Sequence, residues 1–220
     1  MIITLDGPAG AGKSSAARAL AARLGWCYMD TGAMYRAVAL EALARGIPLD
    51  DSPRVADLAE EIRIEFADGR VLVDGRDVST SIRTEEITLA TRPVADAPPV
   101  RAAMKRIQRR MAEGIDVVTE GRDQGSEVFP HAEVRVFLTA SPEERARRRH
   151  REELARGRAT TLEAVLASQT RRDDADCSRP VGAMRQPDGA VLLVTDGLSA
   201  AEVVQRLVDL VEASRTQDRS

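Results

Sequence analysis

The sequence has 220 residues, of which 43% are hydrophobic and 30% are charged, and its formal net charge is −3. This length suits one α/β domain that carries insertions, and the apolar content excludes a chain that is disordered throughout. The slight negative charge offers no overall attraction to nucleic acid, and no apolar run approaches the ~20 residues of a membrane-spanning helix, so we expect no nucleic-acid or membrane partner.

A phosphate-binding loop is predicted near the start of the chain. Residues 2–5 are a short apolar run typical of a buried strand, and apolar residues recur at helical spacing from 17 to 24. Between them the chain matches G-x-x-x-x-G-K-[ST], the motif of a P-loop that joins a strand to a helix. A glycine-rich turn before a helix is the alternative interpretation. The predicted ATP-binding residues are Gly7, Pro8, Ala9, Gly10, Ala11, Gly12, Lys13, Ser14 and Ser15.

Each part of this loop would have a chemical task. Glycines let the backbone wrap around phosphate oxygens, while successive N–H groups and the helix dipole favour an anion. Lys13 would neutralise the β- and γ-phosphates, and the Ser14 hydroxyl would hold Mg²⁺. ATP with Mg²⁺ is therefore the predicted ligand.

The next part of the chain is predicted to interrupt a regular βα alternation. Its predicted elements are a strand over 26–29, a helix that begins within 30–36, a helix from 52 to about 62, and an antiparallel hairpin over 62–66 and 71–73. A local hairpin has no place in a parallel core. We therefore expect residues 33–100 to be a substrate-binding insertion, bounded by Pro93 and Pro98-Pro99.

The alternation of strands and helices then resumes. The predicted elements are a helix over 100–111, strands over 116–120 and 133–139, a helix from 141 to 157, a helix from 161 toward 171, a strand over 190–194, and a final capped helix to 214. This order predicts an α/β fold with a central parallel sheet.

The phosphoryl acceptor has to be inferred from polar clusters, which are rich in arginine. Arg36, Arg122, Arg172 and Arg179 lie near predicted strand ends or loops. They would form an anion clamp, because a guanidinium binds phosphate through two N–H groups. Neither of the two histidines lies in a nucleophile or metal pattern. An acceptor that is itself a phosphate needs no general base, so positioning and charge neutralisation would carry the catalysis.

Three groups of residues resemble the bacterial-type cytidylate kinases. They are Gly7–Ser15 with Asp30–Arg36, Gly121–Asp123 with Val128–Pro130, and Arg172–Arg179, in an order that spans nearly the whole chain. The resemblance implies a P-loop nucleoside monophosphate kinase that transfers the γ-phosphoryl group of ATP to CMP or dCMP with magnesium. It also implies a single domain over 1–220: a three-layer core (1–32, 101–145 and 166–214), a nucleoside-monophosphate insertion (33–100) with a small antiparallel sheet, and a short helical lid (146–165).

The resemblance also assigns roles to residues. Lys13, Arg122 and Arg179 would be catalytic. The residues that would bind CMP are Thr31, Arg36, Arg122 and Arg179 at its phosphate, Arg172 and Asp176 at its sugar, and Arg101 and Asp123 at its base. The chemistry of cytosine supports the last pair independently, since a carboxylate can accept from the 4-amino group while an arginine donates to O2 and N3.

The sequence departs from the family at a few positions. Arg92 stands where a serine is usual, which affects one expected contact to the amino group, Gln124 replaces an apolar residue, and residues 180–184 differ from the usual pattern. Arg92 could instead donate to a uracil carbonyl.

Several polar residues have two interpretations. Arg145, Arg148 and Arg149 are candidate lid residues, although alternating arginines and glutamates are equally typical of a solvated helix face. Asp173 and Asp174 are expected to face solvent, and Asp176 could pair with an arginine for structure alone.

Two other functions remain open: a kinase for another small acceptor such as UMP, and a P-loop NTPase switch or nucleic-acid-dependent NTPase. The chain contains no asparagine, so the guanine-reading N-K-x-D motif is excluded. Its scarce aromatic residues disfavour a nucleic-acid motor, whose hydrolysis RNA or DNA would stimulate. We expect a cytoplasmic protein, because two distant cysteines suit a reduced setting and no signal peptide is recognisable. We also expect a monomer.

Overall fold

The chain is built from short strands and helices. The computed structural model describes residues 1–155 and 157–217. In chain order, the strands are β1 (Ile2–Asp6), β2 (Cys27–Asp30), β3 (Ile64–Ala67), β4 (Arg70–Val73), β5 (Arg76–Asp77), β6 (Val117–Glu120), β7 (Val134–Thr139) and β8 (Val191–Val194). The helices are α1 (Lys13–Leu24), α2 (Thr31–Ala44), α3 (Ser52–Glu61), α4 (Glu85–Asp96), α5 (Pro98–Ala112), α6 (Pro142–Ala155), α7 (Leu162–Cys177) and α8 (Ala200–Gln217).

The chain divides into two compact units. The first, here called the core unit, comprises Met1–Tyr28 and the described residues from Ile115 onwards, and the second, the inserted unit, is Met29–Gly114.

A five-stranded sheet in the order β2-β6-β1-β7-β8 organises the core unit. Strand β1 pairs in parallel with β6 and β7, and β7 pairs in parallel with β8. Apolar side chains of this sheet form the core, where Ile3, Leu5 and Leu138 are fully buried with Leu20 of α1 and Leu207 of α8. Because parallel strands end at the same edge, this packing fixes the loops that follow β1 and β6 on one edge of the sheet.

The inserted unit combines four helices with a small antiparallel sheet in the order β3-β4-β5. Helix α3 packs against α5, and α2 packs against α4. The predicted hairpin is confirmed, and a short third strand extends it.

Two parts of the chain differ clearly from the predicted elements. Helix α4 was not predicted, and Pro93 lies inside it, since the loss of one donor near its C-terminal end leaves the remaining helical bonds in place. Helix α7 continues past Arg171 to Cys177, because the chain has no glycine or proline there before Pro180.

The described helices include none that is both long enough and apolar enough to cross a membrane. The predicted lid range 146–165 covers the end of α6 and the start of α7, and its residue 156 lies outside the described residues.

Candidate active site

The phosphate-binding loop lies between β1 and α1, as its motif predicts. Gly7, Gly10 and Gly12 adopt φ values of 138°, 78° and 94°, which side chains rarely tolerate. A Cβ on Gly7 would also lie 2.1 Å from the carbonyl oxygen of Leu138. Gly12 precedes α1 without a side-chain cap, so the first N–H groups of this helix are not capped by the loop itself.

Lys13 is folded back onto this loop. Its side chain is only 5% exposed, and its Nζ donates to the carbonyl oxygen of Pro8 at 2.8 Å. Burial lowers the pKa of Lys13, and the positive charge of Arg122 lowers it further. A phosphate group placed here would reverse both effects, because an anion stabilises the protonated amine.

Ser14 and Glu120 provide the oxygen atoms that suit a hard cation. The Ser14 hydroxyl donates to Oε1 of Glu120 at 2.5 Å, and the Tyr28 hydroxyl donates to the same oxygen at 3.1 Å. Within residues 1–155 and 157–217, no cluster of three or more acidic, histidine or cysteine side chains could hold a metal alone. This donor set fits Mg²⁺ that arrives with nucleotide phosphates, since Mg²⁺ commonly takes one or two protein ligands there.

Arg145 and Asp173 hold the tip of the loop from both sides. Arg145 donates through Nη1 to the carbonyl oxygen of Ala9 at 3.0 Å and to the carboxylate of Asp173. Asp173 in turn accepts from the Ala9 N–H at 3.4 Å. The expectation that Asp173 faces solvent is therefore wrong, because α7 extends far enough to bring this side chain to the loop, whereas Asp174 is exposed as expected.

Arg148 contacts the loop as well. Its guanidinium donates to the hydroxyl and carbonyl oxygens of Thr195 at 2.9 and 2.8 Å, and to the carbonyl oxygen of Ala11 at 3.4 Å. Arg149 pairs with Glu152 and Glu153 of its own helix. The three lid candidates therefore divide: the structure places two at the loop and one on a salt-bridged helix face.

Asp176 joins two of the predicted phosphate-binding arginines. Arg122 Nε lies 2.7 Å from Asp176 Oδ2, and Arg179 Nη2 lies 2.7 Å from Oδ1. Burial alone would raise the pKa of Asp176, but the charges of Arg122 and Arg179 outweigh it and hold this pKa below its usual range. Arg172 is exposed on the same helix.

Asp123 follows β6 and is only 7% exposed. It precedes one turn of π-helix, Gln124–Val128, whose N–H groups at Gln124 and Gly125 donate to Asp6. Burial raises the pKa of Asp6 to about 7, although the two N–H donors act against this rise. The base-reading candidate is therefore attached to a rigid turn.

In the inserted unit, the residues predicted to bind the phosphoryl acceptor lie on α2 and α5. Asp30 caps α2 by accepting from the Ala33 N–H at 2.8 Å, and Thr31 is buried in the first turn. Arg36 Nη2 lies 3.4 Å from Asp30, and its buried Nε has no hydrogen-bond partner in the described part of the chain. Such an orphaned donor is typical of a site for an anion.

Arg101 and Arg92 differ strongly in their surroundings. Arg101 is 6% exposed, donates to the carbonyl oxygen of Ala95 at 2.9 Å and lies over the Tyr35 ring. Arg92 is exposed and lies 3.6 Å from Asp96.

Sequence reasoning missed Asp6, Glu120, Asp173 and Thr195. Asp6 and Glu120 each end a strand at the edge where loops carry ligand-binding residues, which is a signal that could have found them. Asp173 and Thr195 gave no such signal, because their importance depends on contacts with the distant loop.

The fold and the loop define a protein of the P-loop nucleotide-binding class, and comparisons with known proteins agree. A gluconokinase from Sinorhizobium meliloti 1021 has a similar fold, with a TM-score of 0.50, 19% identity, and coverage of 98% of this chain and 94% of that one. The cytidylate kinase of Rhodopirellula baltica is 49% identical over 96% of this chain and 92% of its own length. That of Citrifermentans bemidjiense is 46% identical over 99% and 95%, respectively.

The family model for cytidylate kinase matches residues 3–213. The match spans the phosphate-binding loop, the whole inserted unit and helix α7. The chain therefore belongs to the cytidylate kinase family, as the sequence motifs predict, and a P-loop switch is not favoured.

Proposed function

We propose that this protein transfers the γ-phosphoryl group of ATP to CMP or dCMP, which yields ADP and CDP or dCDP. The family match over residues 3–213 carries the proposal, because it includes both the phosphate-binding loop and the residues that would read the acceptor. The arrangement of Arg122, Asp176 and Arg179 supports it, since two guanidinium groups are already gathered on one carboxylate.

On the donor side, the loop N–H groups and Lys13 would hold the phosphates of ATP. Ser14 would hold Mg²⁺ with the nucleotide, and the ion would neutralise charge on the β- and γ-phosphates. Asp173 and Arg145 would keep the loop tip in place through Ala9. The triphosphate would take over the Ala9 N–H and the Lys13 amine, which contact Asp173 and the Pro8 carbonyl oxygen in this structure.

On the acceptor side, Thr31, Arg36, Arg122 and Arg179 would bind the phosphate of CMP, and Arg172 and Asp176 would bind its sugar. An oxygen of this phosphate attacks the γ-phosphorus while the bond to the β–γ bridging oxygen breaks. The attacking oxygen is already anionic, so no side chain has to remove a proton. The arginines instead offset the repulsion between two anionic substrates.

Arg101 and Asp123 would bind the cytosine. Asp123 would accept from the 4-amino group, and Arg101 would donate to O2 and N3. Uracil offers a carbonyl oxygen where cytosine has the amino group, so it would place two acceptors against each other. We also propose that the protein is cytoplasmic, which its two distant cysteines support, and that it is a monomer.

A coupled assay of ADP formation with equimolar CMP, dCMP, UMP, AMP and GMP tests this function. We expect CMP and dCMP to give by far the highest kcat/KM, and removal of Mg²⁺ by EDTA to abolish turnover. Preferred use of UMP or of a purine nucleotide would contradict the proposal. ATP hydrolysis that rises on addition of RNA or DNA would indicate a different class of NTPase.

A further inference from the structure

Asp6 is a buried carboxylate to which the proposed reaction assigns no role. It ends β1, directly before the phosphate-binding loop, and is 0% exposed. Its Oδ1 accepts from the Gln124 N–H at 2.8 Å, and its Oδ2 accepts from the Gly125 N–H at 2.7 Å. Both oxygens therefore contact the turn that follows Asp123.

This turn needs an external acceptor at its start. Asp123 provides its carbonyl oxygen to the N–H groups of Glu127 and Val128 at 2.9 and 3.2 Å, but its side chain does not cap the turn. The first N–H groups of a helical turn have no partner within the turn. Asp6 accepts from both of them, so its side chain provides the partners that the turn itself does not.

The rest of the turn is fixed against β1 and β6. The Thr119 hydroxyl donates to Oε1 of Gln124 at 2.9 Å. Gly125 packs so tightly that an added Cβ would lie 2.8 Å from the Thr4 hydroxyl. The turn therefore has little freedom to shift while Asp6 accepts from both of its N–H groups. We expect the turn to move more freely if either N–H group loses this acceptor.

We propose that Asp6 is a positioning residue for the acceptor base, which acts by fixing the turn that presents Asp123. This inference rests on the proposed function, in which Asp123 reads cytosine. Because Asp6 also leads into Gly7, one residue ties the strand that starts the ATP-binding loop to the turn that selects the acceptor.

Asp6→Asn tests the proposal, since an amide can accept one N–H but turns a second donor toward the other. We expect the KM for CMP to rise by about tenfold and the KM for ATP to change by less than about twofold. In an Asp123→Asn background, Asp6→Asn should not raise the KM for CMP further, because the two residues act through one contact. Equal rises in both KM values, additive effects, or a lower Tm with unchanged KM values would overturn the proposal.

Glu133→Gln is the matched control. The Glu133 carboxylate accepts from the backbone N–H of Ile2 at 2.8 Å, at the opposite end of β1, and is exposed. This variant should leave both KM values unchanged.

Gly125→Ala is a second variant, to be used if Asp6→Asn does not fold. The added methyl group would displace the same turn from Thr4 and leave the Asp6 side chain unchanged. This variant should also raise the KM for CMP and not that for ATP. An unchanged KM for CMP would overturn the proposal. The wild-type activity toward CMP distinguishes failure of the proposed function from failure of the proposal on Asp6. If the wild type does not phosphorylate CMP, the proposed function is wrong. If it does, the KM values of the variants test the role of Asp6 alone.

Discussion

The candidate residues of the two units are held in place by contacts of very different range. In the inserted unit, Arg36 contacts Asp30 and Arg101 contacts the carbonyl of Ala95, each only six residues away in sequence. In the core unit, Ser14 contacts Glu120 across 106 residues, and Arg145 contacts Ala9 across 136.

This difference indicates how each half of the chemistry is organised. Local contacts within a helix and its cap orient the acceptor residues of the inserted unit, so a substitution there should change binding more than folding. Remote contacts in the core unit join the loop to α6 and α7, so a substitution there should change both. Substitutions in the two units should therefore differ in their effects on substrate binding and on the Tm.

Lys13→Ala should have the largest effect. We expect kcat to fall by roughly 10²–10³-fold or more, because the variant loses a preorganised charge on the transferring group. The backbone of the loop should survive, since Gly7, Gly10 and Gly12 define it. Lys105, the only other lysine, provides the control Lys105→Ala, which should retain wild-type turnover. Comparable turnover in Lys13→Ala would refute the assignment of the loop.

Arg122→Ala and Arg36→Ala compare the two units directly, because Arg122 contacts Asp176 across 54 residues. Each removes a charge-assisted contact worth roughly 1.5–3 kcal/mol, so each should raise the KM for CMP more than that for ATP. Arg122→Ala should also lower the Tm, because it removes a close contact to the buried Asp176, whereas Arg36→Ala should lower it less, because Asp30 keeps the Ala33 N–H. Arg54→Ala, on the exposed face of α3, is the control. If both variants lowered the Tm equally, the remote contacts of the core unit would not affect folding more than the local contacts of the inserted unit.

Asp173→Asn tests the remote hold on the loop tip. Weakening the ion pair with Arg145 should raise the KM for ATP by several-fold, which corresponds to about 1 kcal/mol, the usual net value of one such contact. Asp174→Asn is a matched control, since Asp174 is the neighbouring residue and is exposed. Identical ATP kinetics in the two variants would show that Asp173 does not support the loop.

The smallest effect concerns the pH dependence of stability. Since Arg122 and Arg179 hold the pKa of Asp176 below its unfolded value, its contribution to stability is present above the ordinary aspartate pKa of about 3.9 and is lost as the pH falls through the folded value. The free energy of unfolding of the wild type relative to Asp176→Asn should be constant from about pH 7 to 5 and shrink below about pH 4. If the two free energies of unfolding differed by the same amount at pH 7 and below about pH 4, Asp176 would not be ionised and paired in the folded protein.

The range of contacts also explains what could be predicted from the sequence. The strand, loop and helix around Lys13 and the hairpin over β3 and β4 depend on local patterns, and both are confirmed. Pro93 shows the limit of such patterns, because packing of α4 against α2 sustains a helix that a local rule would end.

The site was predictable only in part for the same reason. Motifs pointed to Lys13, Arg122 and Asp176 because their spacing is distinctive. Nothing local distinguishes Asp173 from Asp174, yet one contacts the loop and the other is exposed. Such a distinction depends on how α7 lies against the loop, and this geometry becomes visible only in the folded chain.

The hypothesis that Asp123 reads the cytosine base can be tested with one set of kinetic constants. We would measure kcat/KM for CMP and UMP with the wild type and with Asp123→Asn. A buried acceptor can reject the wrong base by as much as about 10⁴-fold, so the wild type should strongly prefer CMP. Asp123→Asn should narrow this preference, because an amide can donate to the O4 of uracil. If the wild type used CMP and UMP equally well, Asp123 would not read the cytosine base.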